Sequence, residues 1–330
     1  MKKYLYIALA AAALTSCSSD DTLDVVQGEQ ISFSNAYVGN STRATDDTYG
    51  PNKLVGKFNV YGTVTGTAGT VNIFNGNDVT KPTTITNAYD ATKAWECAGT
   101  AQYWIAGANY QFAAVVNEDI VTVTSDQTTG MPTKLTYTTD SVTTKDLLYA
   151  TASVPSASAS QGLVAFSFDH LLSRVKFTVK SNAPEGYHYS VENIKIANYE
   201  TAEYNIANST WTGTTAHNFN FGPVREVTAK TGEKTNAKEM LLIPNTADYA
   251  ITFTVNLYVN GELANSNNYS STVSHDLVKG NSYNFVIDLS IGNQIQFTIQ
   301  NVKGWVDGND DPSTNDVTET FIPVTLTPAN

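Results

Sequence analysis

The sequence predicts an all-β fold of Greek-key sandwiches. Short runs of alternating apolar and polar residues recur along the chain. Gly, Pro, Asn and Asp separate them at intervals of roughly 8 to 12 residues, and no segment keeps a helical period long enough to define a helix. Thr, Asn, Val, Tyr and Ala are abundant while charged residues make up only 15%, a composition that suits pleated, half-buried surfaces. Runs of strands without intervening helices argue for sandwiches rather than for an α/β sheet.

The first element is a processing signal. Met1, Lys2 and Lys3 carry charge, an apolar run extends from Tyr4 to Leu14, and Leu14, Thr15, Ser16 and Cys17 follow. The apolar run is too short to span a bilayer as a mature helix, so residues 1–16 read as an export signal that is removed. Small residues before Cys17 let a peptidase approach the backbone, and the thiol at the new N-terminus can take a diacylglyceryl group that anchors without spanning. Residues 17–43 then form a tether, beginning Ser18, Ser19, Asp20 and Asp21, and a first strand. In that strand Ile31, Phe33 and Tyr37 fall on one face at period two. Ser41, Thr42, Arg43, Ala44 and Thr45 follow as an exposed polar stretch where proteases nick. A cut between Arg43 and Ala44 would detach the strand from the sheet it completes.

The body carries the main strand series. Candidate strands are Lys57 to Val64, Gln102 to Ile105, Tyr110 to Val116, Lys134 to Thr138, Leu147 to Ala150, Leu163 to Phe168 and Arg174 to Val179. They continue with Val191 to Ala197, Glu239 to Ile243, Ala250 to Val259, Tyr283 to Leu289 and Gln294 to Val302. The length suffices for two domains with their own cores, placed at 44–168 and 169–305, and residues 306–330 form a loop and a terminal strand. Val154 to Gln161 reads either as a linker or as a long loop inside the first domain.

Composition excludes several functions. The net charge is −12, and the body after residue 43 keeps about −11, so phosphate backbones and anionic lipid headgroups repel it. Nucleic acid is therefore not an expected partner. After Cys17 only Cys97 remains, so the processed chain forms no internal disulfide, and Cys97 reads as a small buried hydrophobe. His170, His188, His217 and His275 lack ligand-spaced partners, and no nucleophile elbow, phosphate loop or dinucleotide fingerprint occurs. The acidic run Asp307, Gly308, Asn309, Asp310, Asp311 puts Pro312 where a calcium loop needs glycine. No catalytic residue, metal or cofactor is expected, and His170 beside Leu171 and Leu172 reads as a structural histidine.

Several segments occur in an order that resembles one family. They are the Ile31–Phe33 strand before Thr42, Arg43 and Ala44; Asp146, Leu147, Leu148, Tyr149 and Ala150; Phe168, Asp169, His170, Leu171, Leu172, Ser173, Arg174, Val175, Lys176 and Phe177; Leu241, Leu242, Ile243 and Pro244; and Lys279, Gly280, Asn281, Ser282 and Tyr283. Together they resemble the fimbrillins of Bacteroidetes, the type V pilin subunits of surface fimbriae. The resemblance implies two transthyretin-like β-sandwich domains, export as a lipoprotein to the outer membrane, and cleavage after an arginine by a trypsin-like surface protease. Arg43 is the matching position.

Removing an N-terminal strand leaves a groove with unpaired backbone groups, which recruits a strand from another subunit. Beyond the acidic loop, Ile322, Val324 and Leu326 alternate with Phe321, Pro323 and Thr325 as a candidate donor strand, although Pro323 cannot donate a ladder hydrogen bond. The same tail could instead be an edge strand of its own second domain. The expected partners are other fimbrillin subunits, the processing protease and an adhesion ligand of unknown identity. A fimbrial tip or anchor subunit is an alternative. So is a surface glycan-binding lipoprotein using Trp95, Trp104, Trp211 or Trp305 as a sugar platform, although tryptophans at this density more often serve the core.

Overall fold

The computed structural model describes residues 28–38, 56–84, 92–116, 120–139, 146–235, 238–290, 295–302, 317–321 and 327–328. No α-helix occurs among the described residues. In chain order the strands are β1 (Phe33–Val38), β2 (Lys57–Gly66), β3 (Gly69–Thr80), β4 (Glu96–Cys97), β5 (Asn109–Val116), β6 (Val121–Ser125) and β7 (Pro132–Thr138). They continue as β8 (Leu148–Val154), β9 (Val164–His170), β10 (Ser173–Lys180), β11 (Tyr187–Asn205), β12 (Thr210–Asn220), β13 (Val224–Val227) and β14 (Glu233–Thr235). The last are β15 (Met240–Leu242), β16 (Tyr249–Val259), β17 (Glu262–Val273), β18 (Ser282–Asp288), β19 (Gln296–Val302), β20 (Val317–Phe321) and β21 (Thr327–Pro328). The protein is thus all-β.

Three sheets organise these strands. The first has the order β1-β9-β8-β5-β2-β3-β4. Phe33 of β1 also bridges Trp95, just ahead of β4, so the sheet curls until its two ends meet across the N-terminal strand. Its inward side chains, among them Phe58, Phe74, Phe112, Phe166 and Phe168, form an aromatic core. The second sheet has the order β14-β10-β18-β19-β20, with β15 on β10, and the third runs β21-β17-β16-β11-β7-β6, with β12 and β13 on β11. Val175, Phe177, Ile194, Phe221, Phe253 and Phe285 are part of the core shared by these two sheets.

A third cluster, including Tyr61, Val115, Leu135, Tyr137, Leu172, Tyr204 and Ile243, ties the two halves of the chain together. Its backbone is the long strand β11. Register shifts near Glu192 and Lys195 and again near Tyr199 and Thr201 bend β11, as bulges do. Its first part pairs with β16, while its last residues pair with β7, Lys134 standing opposite Asn205. Hydrogen bonds therefore cross residue 168, where the sequence suggests a domain boundary, and the switch from β9 to β10 passes through buried Leu171 and Leu172.

The strand reading misses β3, β4, β6, β12, β13, β14, β17, β20 and β21. Gln102 to Ile105 is extended but makes only the isolated bridge of Tyr103 to Gln30. The stretch from Val154 to Gln161 is a loop within the first half: Ala157 donates to Ala108 at 2.8 Å, and Ala159 accepts from Glu29 at 2.6 Å.

Candidate functional site

The N-terminal segment lies between two backbone walls. On one side, Ile31 donates its N–H to the Gln102 carbonyl at 2.8 Å, Trp104 donates to Glu29 at 3.0 Å and Trp95 donates to Phe33 at 2.8 Å. On the other, Val164 donates to Ser32 at 2.9 Å, and β1 continues parallel to β9. The approach is close: a Cβ on Gly28 would sit 2.1 Å from the Trp104 carbonyl oxygen, so any side chain there pushes the wall away.

Side chains fill what the backbone frames. Ile31 is 1% and Phe33 0% exposed, two of the three period-two positions that the sequence singles out. The Phe33 ring meets Phe74, Phe112 and Phe166 with centroids 5.4, 5.8 and 5.9 Å apart. Edge and offset geometries of this kind add to area burial, so Phe33 is the hub of the first core. Ser34 is also buried, a position the alternation does not mark. The register shifts between Phe33 and Ala36, which sets Tyr37 opposite Ser167, while Ala36 and Val38 oppose the buried Phe166 and Phe168.

Other residues singled out from the sequence fall elsewhere. Cys17, Arg43, Ala44, Ile322, Val324 and Leu326 lie outside the described residues, as do the acidic run 307–312 and Trp305. On either side of the candidate donor residues, β20 pairs antiparallel with β19 and β21 with Tyr269 and Ser270 of β17. Both flanks of the tail thus sit on sheet edges of the second half.

Trp95 and Trp104 are 3% and 2% exposed. The half-buried Trp211 donates its Nε1–H to the Leu171 carbonyl at 3.0 Å. These three act as packing residues and offer no open platform. His170 bonds through Nδ1 to Asp146 Oδ2, the partner that the family-like segments around Asp146 and His170 bring together. Cys97 packs against the first core, and burial pushes its thiol up to about 11, which removes thiolate reactivity at neutral pH. Among the described residues, no group of three His, Cys, Asp or Glu side chains could hold a metal ion.

An all-β chain with an inserted N-terminal strand and a lipoprotein-type leader defines a class of exported surface protein. A family model described as fimbrillin-like matches residues 42–305, and the chain belongs to that family. A model of the prokaryotic membrane lipoprotein lipid attachment site matches residues 1–18. A fimbrial protein from Bacteroides vulgatus has a similar fold, with a TM-score of 0.57 at 15% identity, over 84% of this chain and 99% of that one. A candidate cell adhesion protein from Bacteroides uniformis matches with a TM-score of 0.48 at 18% identity, over 82% and 96%. The fimbrial anchor protein Mfa2 from Porphyromonas gingivalis matches with a TM-score of 0.40 at 12% identity, over 84% and 99%. No curated protein matches the chain. The chain is accordingly a fimbrial or adhesion-related protein with a lipid attachment site, of a family that is structural rather than enzymatic.

Proposed function

We propose that the protein is a stalk subunit of a cell-surface fimbrium, lipidated at Cys17, carried to the outer membrane, cleaved between Arg43 and Ala44 by a trypsin-like surface protease, and polymerised by strand exchange. The observation that carries this reading is the seat of residues 29–38. That segment is hydrogen-bonded on both sides and supplies the hub of the first core, yet its continuation reaches Arg43 within a few residues of Val38. A cut there leaves the strand held by non-covalent contacts alone.

Loss of the segment would expose the apolar sites of Ile31 and Phe33, each worth about 1.5–3 kcal/mol of burial, together with unpaired groups on Gln102, Trp104, Trp95 and Val164. Such a groove is stable only when refilled. Ile322, Val324 and Leu326 of another subunit offer alternating apolar side chains to do so. A subunit with both a removable first strand and a donor tail extends at both ends, which favours the stalk role over tip or anchor.

The test uses the soluble precursor from Ser18 onward, treated with trace trypsin. The expected products begin at Ala44 and form ladders that survive SDS, whereas the Arg43→Gln variant stays intact and monomeric. Deleting residues 322–330, which spares β20, should abolish the ladders but not the cut. A correctly cut chain that stays monomeric with its tail intact would sink the proposal.

A further inference from the structure

We propose that the outer face of the third sheet carries a separate binding site for a neutral carbohydrate, centred on Asn256 and flanked by the stacked rings of His188 and Tyr258. It does not rest on strand exchange, since the strands that build it, β11, β16 and β17, belong to a different sheet from β1.

Register defines the surface. In antiparallel ladders, directly opposite residues share a face. Val191, Phe253 and Val255 enter the second core, so the alternate positions of β11 and β16 face outward. His188 stands opposite Tyr258, Ser190 opposite Asn256 and Glu192 opposite Thr254. β17 continues these rows with Leu263 opposite Tyr258, Ser266 opposite Asn256 and Asn268 opposite Thr254. Leu263 owes its place to a bulge. The register of β16 and β17 shifts between Leu257 and Tyr258, and the extra residue turns the exposed Leu263 from the inner face to the outer one. Asn260 and Gly261, both at positive φ, close the hairpin in a tight two-residue turn. The Asn260 N–H also donates to the Gly186 carbonyl at 2.7 Å, which ties the turn to the start of β11.

Chemistry changes along this face. At one end the His188 and Tyr258 rings stack, centroids 4.7 Å apart and 4° from parallel, beside Leu263. At the other, Arg225 donates to Glu192 at 3.2 Å and Thr254 donates to Asn268 Oδ1 at 2.7 Å. Between them lies Asn256. It is only 8% exposed, although Tyr258 and Thr254 on the same strand face are half-buried and Ser266 opposite is exposed, so the surface sinks at this residue. Its Oδ1 accepts from Ser266 Oγ at 2.7 Å, while its Nδ2 reaches the surface without a hydrogen-bond partner among the described residues. Asn268 likewise commits its Oδ1 to Thr254 and leaves its Nδ2 without a described partner.

An apolar platform beside two amide donors and a carboxylate fits a pyranose ring. The C–H face of the sugar lies on an aromatic ring as other apolar surfaces do. Its hydroxyls, each both donor and acceptor, take N–H from Asn256 and Asn268 and give O–H to Glu192. Rows along a strand are about 7 Å apart and neighbouring strands about 5 Å apart, which gives the footprint of a mono- or disaccharide. Charge selects within that class. The protein carries −12 and Glu192 already engages the Arg225 guanidinium, so a sialic acid, sulfate or phosphate on the ligand is repelled. An apolar peptide segment would leave the amide donors unmatched.

The test immobilises lactose, N-acetyllactosamine, chitobiose and mannobiose, with sialyllactose as the charged comparison. Binding of the soluble precursor from Ser18 onward is read by biolayer interferometry. The expected result is saturable binding to at least one neutral sugar, no tighter binding to sialyllactose than to lactose, and affinity lowered at least tenfold by Tyr258→Ala and by Asn256→Asp. Should either variant lower the melting midpoint, Leu263→Asp decides, because that position is exposed; it should cost at least threefold. Trp211→Phe should keep wild-type affinity. No binding to any of the four neutral sugars, tighter binding to sialyllactose, a loss with Trp211→Phe, or wild-type affinity in both Asn256→Asp and Leu263→Asp overturns the site. Any of these results leaves the strand-exchange reading untouched.

Discussion

Among the described strands two pairings are parallel, β1 with β9 and β10 with β18, and every other one is antiparallel. Each parallel pair serves one half of the chain, and each centres on a fully buried phenylalanine, Phe33 in β1 and Phe177 in β10. The difference is position. β10 lies inside its sheet, flanked by β18 and by β14 and β15, with chain continuing on both sides. β1 closes its sheet from the edge and belongs to the first residues of the fold. Under the proposed cut after Arg43, the same apolar content stays in one half and becomes detachable in the other, so that the covalent connection rather than the strength of packing decides the difference.

The sharpest way to break this comparison is to truncate the two hubs. Phe33→Ala and Phe177→Ala each remove a ring at the centre of an aromatic cluster; Phe177 lies 4.9 Å from Phe221 and 5.3 Å from Phe285. Each should destabilise the uncut precursor by about 3–5 kcal/mol, read as a lower urea midpoint. After cleavage the effects should part. If β1 leaves on assembly, polymer from Phe33→Ala melts like wild type, whereas polymer from Phe177→Ala keeps its full loss. Equal losses in the polymer would mean that β1 never departs.

A smaller effect is expected at the joint between the halves. Trp211 donates to the Leu171 carbonyl and its ring packs on Tyr204 at 5.1 Å, joining β12 to the turn between β9 and β10. Trp211→Phe keeps most of the packing but leaves that carbonyl without its donor, a loss of about 1 kcal/mol. Because the third core couples the halves, the precursor should still unfold in one transition. Two separated transitions would show that the parallel pairs belong to independent units.

How much of this was legible in the sequence depends on which side of a strand faces solvent. The apolar alternation of β2, β5, β9, β10, β16 and β18 marks strands whose inner face meets a core. β17 escaped because Glu262 to Asn268 is exposed and its cohesion comes from the full-length ladder to β16 and from polar pairs such as Ser266 Oγ to Asn256 Oδ1 at 2.7 Å. β3 and β12 escaped for the same reason, since tertiary pairing overrides weak strand propensity. The seat of Ile31 and Phe33 was readable from period two, but its walls were not. They are built from residues 95, 102, 104 and 164, which only the closed sheet brings beside the N-terminus. The crossing of β7 onto β11 was equally hidden, because a 19-residue strand interrupted by several register shifts reads locally as one short strand and a polar stretch.

The smallest expected effect compares the halves by pH. His275 lies just after β17 in the second half, its ring edge-on to Tyr283 at 5.7 Å. Burial holds its pKa below the ordinary histidine value, and the carboxylate of Asp276 opposes that shift without cancelling it. The groups sharing this region are Asp276, Tyr249 and Tyr283, and burial raises both tyrosines, so they stay neutral through the acid range. The folded state therefore prefers neutral His275, while the unfolded chain takes up a proton near pH ~6.5. Stability from this preference is fully present above that pH and falls as pH drops below it, since the unfolded state then binds more protons. With the histidine partly accessible to solvent the effect is screened, and a change of ~1 °C in midpoint is expected between pH 7 and pH 5.5 relative to His275→Gln. The contrast should survive cleavage at Arg43 unchanged, because His275 belongs to the half whose parallel pair stays in place. A pH response that vanished on assembly would place His275 in contact with the exchanged strand instead.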